Sequence, residues 1–274
     1  MGFIAALEAS IQRNNSLLCV GLDPTLDTLP AGVERSPAGL LRFNQSIIAA
    51  TADLVCAYKP NVAFYEALGE EGWHVLRETV RAVPEGVPVI ADAKRGDVES
   101  TAAAYAEAIF DRLGFDACTL SPYLGREAVT PFIDRPGRFA FVLCRTSNPS
   151  APGVQDLLVE GEPLYVHIAR QICQWGPPES VGLVVGATDP EGARQAAAAA
   201  PDRWLLAPGL GAQGGDLAAM AAALGPSAAR ALWNVSRGVS RADRSPAYAE
   251  GARAAALALR DAVNAVVIRD TRYA

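Results

Sequence analysis

Residues 87–101 read VPVIADAKRGDVEST, an apolar run that ends in a cluster of charged side chains. The run at 87–91 is as apolar as a strand that is buried on both faces. Asp92, Lys94 and Asp97 follow it, and on a strand the side chains of Asp92 and Lys94 share one face. Because a nearby carboxylate favours the ammonium form, we predict that Lys94 is a cation and a proton donor rather than an amine nucleophile.

Apolar runs of the same kind recur along the chain, and segments with helical periodicity lie between them. The eight runs cover residues 17–22, 54–58, 87–91, 117–120, 139–144, 181–185, 204–207 and 231–235. Strand and helix alternating eight times indicate an α/β fold, a closed (β/α)8 barrel of the TIM type. An open doubly wound sheet is the alternative, although such sheets more often have about five or six strands.

Length and composition limit the class of protein. The chain has 274 residues, and barrels commonly run to about 250 residues as one unit, so we predict a single domain over residues 1–274 with core strands within about 17–239. The net charge of -6 argues against a nucleic-acid partner. No signal peptide is recognisable, and no apolar run reaches the roughly 18 residues of a membrane span. Five cysteines without a CxxC pair indicate a reduced, cytoplasmic protein.

Lysine is rare in this chain. Only Lys59 and Lys94 are lysines among 24 basic residues, and both stand at the ends of apolar runs. The carboxyl ends of barrel strands converge at one mouth, where enzymes of this fold build their sites. Lysine can deliver a proton near neutral pH, whereas arginine cannot. We interpret the two lysines as functional, with a structural ion-pair network or chance placement as the alternatives.

A glycine-rich segment follows the seventh run. Residues 209–214 read GLGAQG and match G-x-G-x-x-G, a pattern of dinucleotide-binding loops. That motif belongs in the first strand–helix turn, whereas loops after the seventh and eighth barrel strands commonly bind phosphate. Arg237, after the eighth run, adds a guanidinium group that can donate two hydrogen bonds to the same anion. We favour a phosphate site over a dinucleotide site or a merely tight turn, and expect residues 147–153 and 209–215 to close over a ligand.

The sequence disfavours several common kinds of site. His74 and His167 are lone histidines in helical segments, which speaks against zinc binding and against a serine–histidine triad. Asp23 and Asp92 could hold Mg²⁺, but two lysines nearby would repel it. These residues therefore disfavour a zinc or magnesium site.

Residues 89–101 closely resemble the signature of the orotidine 5'-phosphate decarboxylase family, an apolar strand followed by Asp-x-Lys-x-x-Asp and a threonine. The further matches, in order, are Asp23 after the first run, Lys59 after the second, Thr-Ser-Asn-Pro after the fifth, Pro-Gly-Leu-Gly-Ala-Gln-Gly-Gly after the seventh and Ser-Arg-Gly after the eighth. The resemblance spans residues 17 to about 240 and is closest to the longer bacterial subgroup.

The resemblance implies a barrel that works without metal or cofactor and forms a homodimer with shared active sites. It implies conversion of orotidine 5'-phosphate to UMP and CO2 in pyrimidine biosynthesis. Lys94 would protonate C6 of the pyrimidine as CO2 leaves, and Asp92 would lie against the substrate carboxylate and hold Lys94. Lys59 would bind ribose hydroxyls, and Asp97 would reach into the site of the neighbouring subunit.

The resemblance also implies which residues bind the nucleotide substrate. These residues and the groups they would meet are Asp23 (ribose), Thr101 (the edge shared between subunits), Ser147 (pyrimidine edge), Gln213 (base and phosphate) and Arg237 (phosphate), together with Pro208, Gly214 and Gly238. Most of them follow apolar runs, so the predicted barrel would bring them to one mouth.

Two alternatives remain. Sugar-phosphate decarboxylases and hexulose-phosphate synthases resemble the same Asp-x-Lys-x-x-Asp barrel, but they use Mg²⁺ and an enediolate. They have an acidic residue in place of Lys59 and a histidine on a later strand, and this sequence has neither. The other alternative is a catalytically silent phosphate-binding barrel that acts as a regulator. The acid–lysine–acid set speaks against it, because phosphate binding needs only the last two loops.

Overall fold

Eight parallel strands form one sheet in the computed structural model, which describes residues 1–210 and 214–271. The strands are buried almost throughout, except for the second half of the third, as expected for apolar runs between two layers. In chain order they are β1 Leu18–Gly21, β2 Ala57–Lys59, β3 Ile90–Arg95, β4 Ala117–Leu120, β5 Phe139–Arg145, β6 Val181–Val185, β7 Leu205–Pro208 and β8 Ala231–Val235.

The sheet closes into a barrel. Its strands lie in the order β2-β1-β8-β7-β6-β5-β4-β3, and parallel bridges of Tyr58 with Val89 and of Asn61 with Asp92 join the two ends. Across this seam the N–H of Asp92 donates to the carbonyl of Pro60 at 3.0 Å. The prediction of a (β/α)8 barrel is confirmed, and the open doubly wound alternative is wrong.

Helices connect the strands and cover the outside of the barrel. Ser36 and Asp189 cap two of them by accepting from the N–H groups of Gly39 and Gly192, each with proline as the first helical residue. The α-helices are Phe3–Asn14, Pro37–Thr51, Val62–Glu66, Glu70–Arg81, Glu99–Ala106, Thr130–Ile133, Pro152–Gln155, Leu164–Trp175, Pro190–Ala199, Leu217–Leu224, Arg237–Ser240 and Tyr248–Thr271. Short 3₁₀ turns are Leu26–Thr28, Arg126–Ala128 and Gly225–Arg230, and Glu107–Arg112 is a π-helical turn. None of the helices within the described ranges is long and apolar enough to cross a membrane.

The helix Phe3–Asn14 covers the N-terminal end of the barrel. Phe3 stacks on Phe139 of β5 with ring centroids 4.9 Å apart. Asn14 donates to the carbonyl of Val55, just before β2, at 2.8 Å. Packed side chains fill this end, so the opposite end, where the strands finish, is the one available for a site.

Residues 158–163 do not begin a helix, although apolar residues recur with helical spacing over residues 158–174 and this spacing predicts a helix there. They form a two-stranded hairpin, Leu158–Val159 with Glu162–Pro163, and the helix follows it. Glu160 and Gly161 at its turn have φ angles of 54° and 86°. Two consecutive positive φ angles are the geometry of a tight hairpin turn, which overrides the apolar spacing.

The strands β2 and β3 begin later than the apolar runs at 54–58 and 87–91. Residues 54–56 are buried, yet they belong to the turn before β2. Burial therefore starts before hydrogen-bonded pairing does, and both strands continue into the charged residues. Lys59, Asp92 and Lys94 lie within the barrel wall and not in loops that follow it.

Candidate active site

A cavity of about 280 Å³ opens at the C-terminal end of the barrel. Barrel enzymes build their sites at this end, and small-ligand pockets commonly have volumes from about 300 Å³ upwards. The apolar side chains of Leu143, Val184 and Leu206 form part of its lining. The predicted site residues that line it are Asp23, Lys59, Asp92, Lys94, Ser147, Pro208 and Arg237.

Asp92 is held between two lysines. Lys59 Nζ lies 2.7 Å from Asp92 Oδ2, and Lys94 Nζ lies 2.5 Å from Oδ1. The side chain of Lys59 is 4% exposed, whereas that of Lys94 is 49% exposed. The carboxylate therefore carries one cation on each oxygen, of which one is buried in the barrel and the other is accessible.

The charges in this cluster stabilise one another. Burial alone would lower the pKa of Lys59, but the carboxylates of Asp92 and Asp23 outweigh it and hold this pKa well above its ordinary value. Burial would raise the pKa of Asp92, but the ammonium groups of Lys59 and Lys94 hold it well below its usual range. The buried pair of Lys59 and Asp92 is therefore fully charged at neutral pH.

The backbone of β3 is irregular at this cluster. Its pairing with β4 shifts register between Ala91 and Arg95, and Lys94 has a φ angle of 47°, which is uncommon for a residue with a side chain. Bulges of this kind redirect side chains and are frequent next to active sites. The side chains of Asp92 and Lys94 do meet, but a regular strand does not bring them together.

Thr119 on β4 belongs to the cluster, although the sequence pattern did not reveal it. Its hydroxyl donates to Asp92 Oδ1 at 3.0 Å and accepts from two backbone N–H groups of β3. Asn234 on β8 also lines the cavity from inside an apolar run. The available signal was weak, since each is a single neutral polar residue within a strand that otherwise looks like core.

Asp23 follows β1 and is fixed by the backbone after β2. Its Oδ1 accepts from the N–H of Asn61 at 2.9 Å. Gly21, two residues earlier, lies against Ser236, and a Cβ atom at Gly21 would stand 2.6 Å from the Cβ of Ser236. Glycine is therefore required for the ends of β1 and β8 to approach each other beside the cavity.

A buried arginine anchors the segment after β5. Arg145 is 7% exposed, with Nε 2.7 Å from Asp189 Oδ2 and Nη1 2.9 Å from Asp156 Oδ1. The side chain of Gln155 accepts from the backbone N–H just before Ser147 at 2.9 Å. These bonds tie the segment that carries Ser147 to the barrel wall and to the start of a neighbouring helix.

The described ends of the glycine-rich segment after β7 lie at the rim of the cavity. Pro208 and Gly209 line it, and the N–H of Gly215 donates to the carbonyl of Gly209 at 3.1 Å. Gly209 and Gly214 have φ angles of 106° and 88°, which favour glycine. Gly215 thus lies next to Gly209, the residue that directly follows β7. Gln213, also predicted here, lies outside the described residues.

Arg237 lines the cavity and is exposed, and no carboxylate in the described part of the chain forms an ion pair with it. The hydroxyl of the preceding Ser236 is buried and has no hydrogen-bond partner among the described atoms. Gly214 and Gly238 are exposed and stand outside the cavity lining. This rim therefore offers a cation and glycine-containing backbone rather than an assembled cluster.

Asp97 and Thr101 do not line the cavity of this chain. Asp97 is half-buried and accepts from the N–H of its neighbour Val98 at 2.7 Å. Val98, Tyr123 and Leu124, on the segments that follow β3 and β4, are 60%, 88% and 49% exposed. This edge of the barrel mouth therefore exposes three large apolar side chains and carries two of the predicted site residues.

Histidine and cysteine stand apart from the cavity. His74 and His167 lie on helices and are not part of its lining. Over residues 1–210 and 214–271 there is no group of three or more histidine, cysteine or acidic side chains that could hold a metal ion. The five cysteines are free, and burial raises the pKa of Cys19 and of Cys144 to about 12, which makes these thiols unreactive.

Known proteins are similar to this chain in both sequence and fold. The model of the orotidine 5'-phosphate decarboxylase / HUMPS family matches residues 16–252. The orotidine 5'-phosphate decarboxylase of Thermomicrobium roseum is 51% identical over 97% of this chain and 96% of its own length, and that of Herpetosiphon aurantiacus is 49% identical over 93% and 96%. The structure of Leishmania donovani OMP decarboxylase matches with a TM-score of 0.86 and 40% identity over 98% of this chain and 99% of that one. The resemblance inferred from the sequence is thus confirmed, and the chain belongs to the orotidine 5'-phosphate decarboxylase / HUMPS family.

Proposed function

We propose that this chain is an orotidine 5'-phosphate decarboxylase, which converts orotidine 5'-phosphate to UMP and CO2 in pyrimidine biosynthesis. Relatives of nearly the same length carry this name. The observation that carries the proposal is the cluster in which Asp92 lies between Lys59 and Lys94 in the cavity. It provides fixed charge and a proton donor at one place.

Lys94 is the proton donor in this proposal. When CO2 leaves C6 of a pyrimidine, the electron pair stays on carbon, and no conjugated system takes up its charge. Positive charge held at C6 therefore stabilises the transition state without any reorganisation. Lys94 is half exposed and lies 2.5 Å from the carboxylate that holds it. As the carbon–carbon bond breaks, its ammonium group gives a proton to C6 and becomes a neutral amine.

Asp92 has two roles in the same proposal. It holds Lys94, and its charge repels the carboxylate of the bound substrate, a repulsion that disappears as CO2 departs. Lys59 uses one of its three hydrogens on Asp92 and has others to offer to a ribose hydroxyl. Asp23, which lies near Lys59, binds the ribose with it.

The opposite rim binds the phosphate. The guanidinium of Arg237 offers a fork for two phosphate oxygens, and the loop after β7 offers backbone N–H groups. Gln213 bridges the base and the phosphate, and Ser147 bonds to the pyrimidine edge. Binding energy gained at the phosphate, remote from C6, drives closure of the segments 147–153 and 209–215.

A metal-dependent sugar-phosphate enzyme is the main alternative, and the charges disfavour it. Both oxygens of Asp92 already have an ammonium group within 2.7 Å, so a divalent cation would have to displace a lysine. A silent phosphate-binding regulator is disfavoured for a different reason. It would need only the rim that carries Arg237, whereas buried charge such as that of Lys59 is costly to keep without a use.

A spectrophotometric assay with orotidine 5'-phosphate, run with and without EDTA, tests the proposal. We expect turnover that EDTA leaves unchanged and that collapses in Lys94→Ala, because the proton donor is gone. Arg77→Ala, on an exposed helical position, is the matched control and should behave as the wild type. Absence of turnover in the wild type, or turnover that requires Mg²⁺, would contradict the proposal.

We further propose that two copies of the chain form a dimer with shared sites. Asp97 and Thr101 lie outside the cavity of their own chain, on the edge that exposes Val98, Tyr123 and Leu124. Pairing of this edge about a two-fold axis would cover the apolar side chains and direct both polar residues towards the cavity of the other copy.

Mixed dimers test this arrangement. Asp97→Ala and Lys94→Ala should each have little activity alone. After the two are unfolded and refolded together, activity should return to about one quarter of the wild-type value, because half of the dimers are mixed and each mixed dimer has one complete site. Failure to regain any activity, with dimers present, would mean that each site is self-contained.

The cellular location and the domain organisation belong to the proposal as well. Free cysteines, as found here, are the rule in the reducing cytoplasm, where we place the protein. All eight strands share one sheet, and the last helix is tied to the turn before β2 through Arg253, whose Nη1 lies 2.6 Å from Asp53. One domain over residues 1–274 accounts for both observations.

A further inference from the structure

The bulge in β3 leaves main-chain groups without a partner in the neighbouring strand. Residues 92–94 of β3 stand opposite the single residue Thr119 of β4. The flanking pairs in register are Ala91 with Cys118 and Arg95 with Leu120. Buried N–H groups in such a bulge need another acceptor, because an unpaired one is costly.

The hydroxyl of Thr119 is that acceptor. It accepts from the N–H groups of Ala93 and Lys94, both at 3.0 Å, and donates to Asp92 Oδ1, also at 3.0 Å. A hydroxyl has one hydrogen and two lone pairs, so all of its bonding capacity is used. Thr119 is 2% exposed and has nothing left to offer a ligand, although it lines the cavity.

The same hydroxyl controls both ends of the pair formed by Asp92 and Lys94. The φ angle of 47° at Lys94 is unfavourable for a residue with a Cβ atom, and the bond from its N–H to Thr119 offsets that strain. At the other end, Asp92 Oδ1 receives Thr119 and Lys94 Nζ together. The direction of the Lys94 side chain and the position of its carboxylate partner thus depend on one oxygen atom.

We propose that Thr119 is a positioning residue of this enzyme. Its hydroxyl fixes the bulged backbone of Lys94 and the carboxylate of Asp92 relative to each other, and so fixes the place from which Lys94 delivers its proton. The effect on rate rests on the proposed function, whereas the effect on geometry does not. Valine has the same shape but would leave two part-buried N–H groups and one carboxylate oxygen without this partner.

Steady-state kinetics of Thr119 variants test the proposal. In Thr119→Val we expect kcat to fall roughly tenfold to a hundredfold, the loss of a hydrogen bond to a charged group, while KM stays within about threefold because Thr119 does not touch the substrate. Thr119→Ser keeps the hydroxyl and should stay within about threefold of the wild-type kcat. If Thr119→Val does not fold, Thr119→Ala replaces it with the same expected loss.

The matched control is Thr79→Val. Thr79 is buried outside the cavity, and its hydroxyl accepts from Asn44 at 3.0 Å, so its loss should lower Tm without changing kcat. An unchanged kcat in Thr119→Val, an equal loss in Thr119→Ser, or an equal loss in Thr79→Val would overturn the positioning role.

A crystal structure of Thr119→Val tests the positioning role of Thr119 independently of the proposed function. We expect the positive φ angle of Lys94 or its contact with Asp92 to be lost, and a wild-type arrangement of both would overturn the inference whatever the activity. A wild-type protein that does not act on orotidine 5'-phosphate would instead refute the proposed function. The crystal structure of Thr119→Val would then still test whether Thr119 holds Lys94 and Asp92 in place.

Discussion

The two rims of the cavity are built differently. On the rim formed by β2, β3 and β4, Lys59, Asp92, Lys94 and Thr119 are joined by contacts of 2.5–3.0 Å within the chain. On the rim formed by β7 and β8, Arg237 has no acidic partner among the described residues and shares the cavity lining with Pro208 and Gly209. The first rim is assembled within the chain itself, whereas in the proposed function the second receives its partner from the substrate.

This difference indicates how the work of the proposed enzyme is divided. Charge stabilises a transition state best where it is already in place, since nothing then has to reorganise during the reaction. A site that must admit a nucleotide and enclose it needs a side that can open and close. Substitutions on the assembled rim should therefore change kcat and stability, and substitutions on the open rim should change mainly KM.

The largest effect is expected from a substitution of Lys94, on the assembled rim, that keeps its positive charge but removes its ability to deliver a proton. Lys94→Arg keeps the positive charge, but arginine does not release a proton near neutral pH, so kcat should fall at least about a thousandfold. The affinity for UMP should stay within about tenfold, because the pairing with Asp92 is retained. Turnover assays and calorimetric titration with UMP measure the two quantities. A kcat near that of the wild type would show that charge alone suffices.

The next effect concerns stability and its pH dependence. Asp92→Asn should lower the free energy of unfolding by about 3 kcal/mol or more at pH 7, because it leaves the buried Lys59 without its main partner. In the wild type the raised pKa of Lys59 contributes stability that is full below its unfolded pKa of about 10.4 and is lost above the folded value. In the variant, burial lowers this pKa, so the deficit should shrink as the pH approaches about 10.

Urea denaturation at pH 7 and near pH 10 measures this deficit. Asp53→Asn is the matched control, since it removes an ion pair with Arg253 in which both side chains are about half exposed, and its cost should stay below about 1 kcal/mol. Adding Lys59→Met to Asp92→Asn should recover part of the stability. A deficit that is equal at both pH values would mean that Lys59 is not its source.

A smaller effect is expected on the open rim. Arg237→Ala should raise KM roughly tenfold to a hundredfold and lower kcat by a smaller factor, because in the proposed function the guanidinium binds the phosphate and does not touch C6. Arg241→Ala, one turn further on and also exposed, is the control and should leave KM unchanged. A fall in kcat at constant KM would place Arg237 with the assembled rim and remove the distinction between the two.

The smallest effect tests the segment between the rims. Arg145→Met should raise KM several-fold, since the segment that carries Ser147 loses its ties to Asp156 and Asp189. Arg203→Met is the control: Arg203 is 6% exposed, donates to backbone carbonyls and lies outside the cavity lining, so it should lower Tm without affecting KM. Equal changes of KM in both variants would point to general loosening of the barrel.

The barrel could be predicted because the pattern of an apolar run followed by a helical segment recurs along the chain. The runs at 54–58 and 87–91 misplace two strands by a few residues, but eight recurrences determine the topology even so. The hairpin at 158–163 could not be predicted from apolar spacing, since it depends on the positive φ angles at Glu160 and Gly161.

The charged members of the site were visible in the sequence because charge is rare at the ends of buried strands. Thr119 and Asn234 were not, since a lone neutral polar residue is ordinary in a strand. Thr119 is important because residues 92–94 lie opposite it, and this pairing depends on the shifted register between β3 and β4. Register is a property of two strands together, so neither run reveals it.

The barrel closes at the seam between β2 and β3, where two isolated bridges take the place of a continuous ladder. The ion pair of Lys59 with Asp92 crosses this same seam and ties the two ends of the sheet together. In the proposed enzyme this pair therefore has two roles, one in the chemistry and one in closing the ring. A designer who exchanges either residue for a new reaction also removes a bond across this seam, and another bond between β2 and β3 would have to replace it.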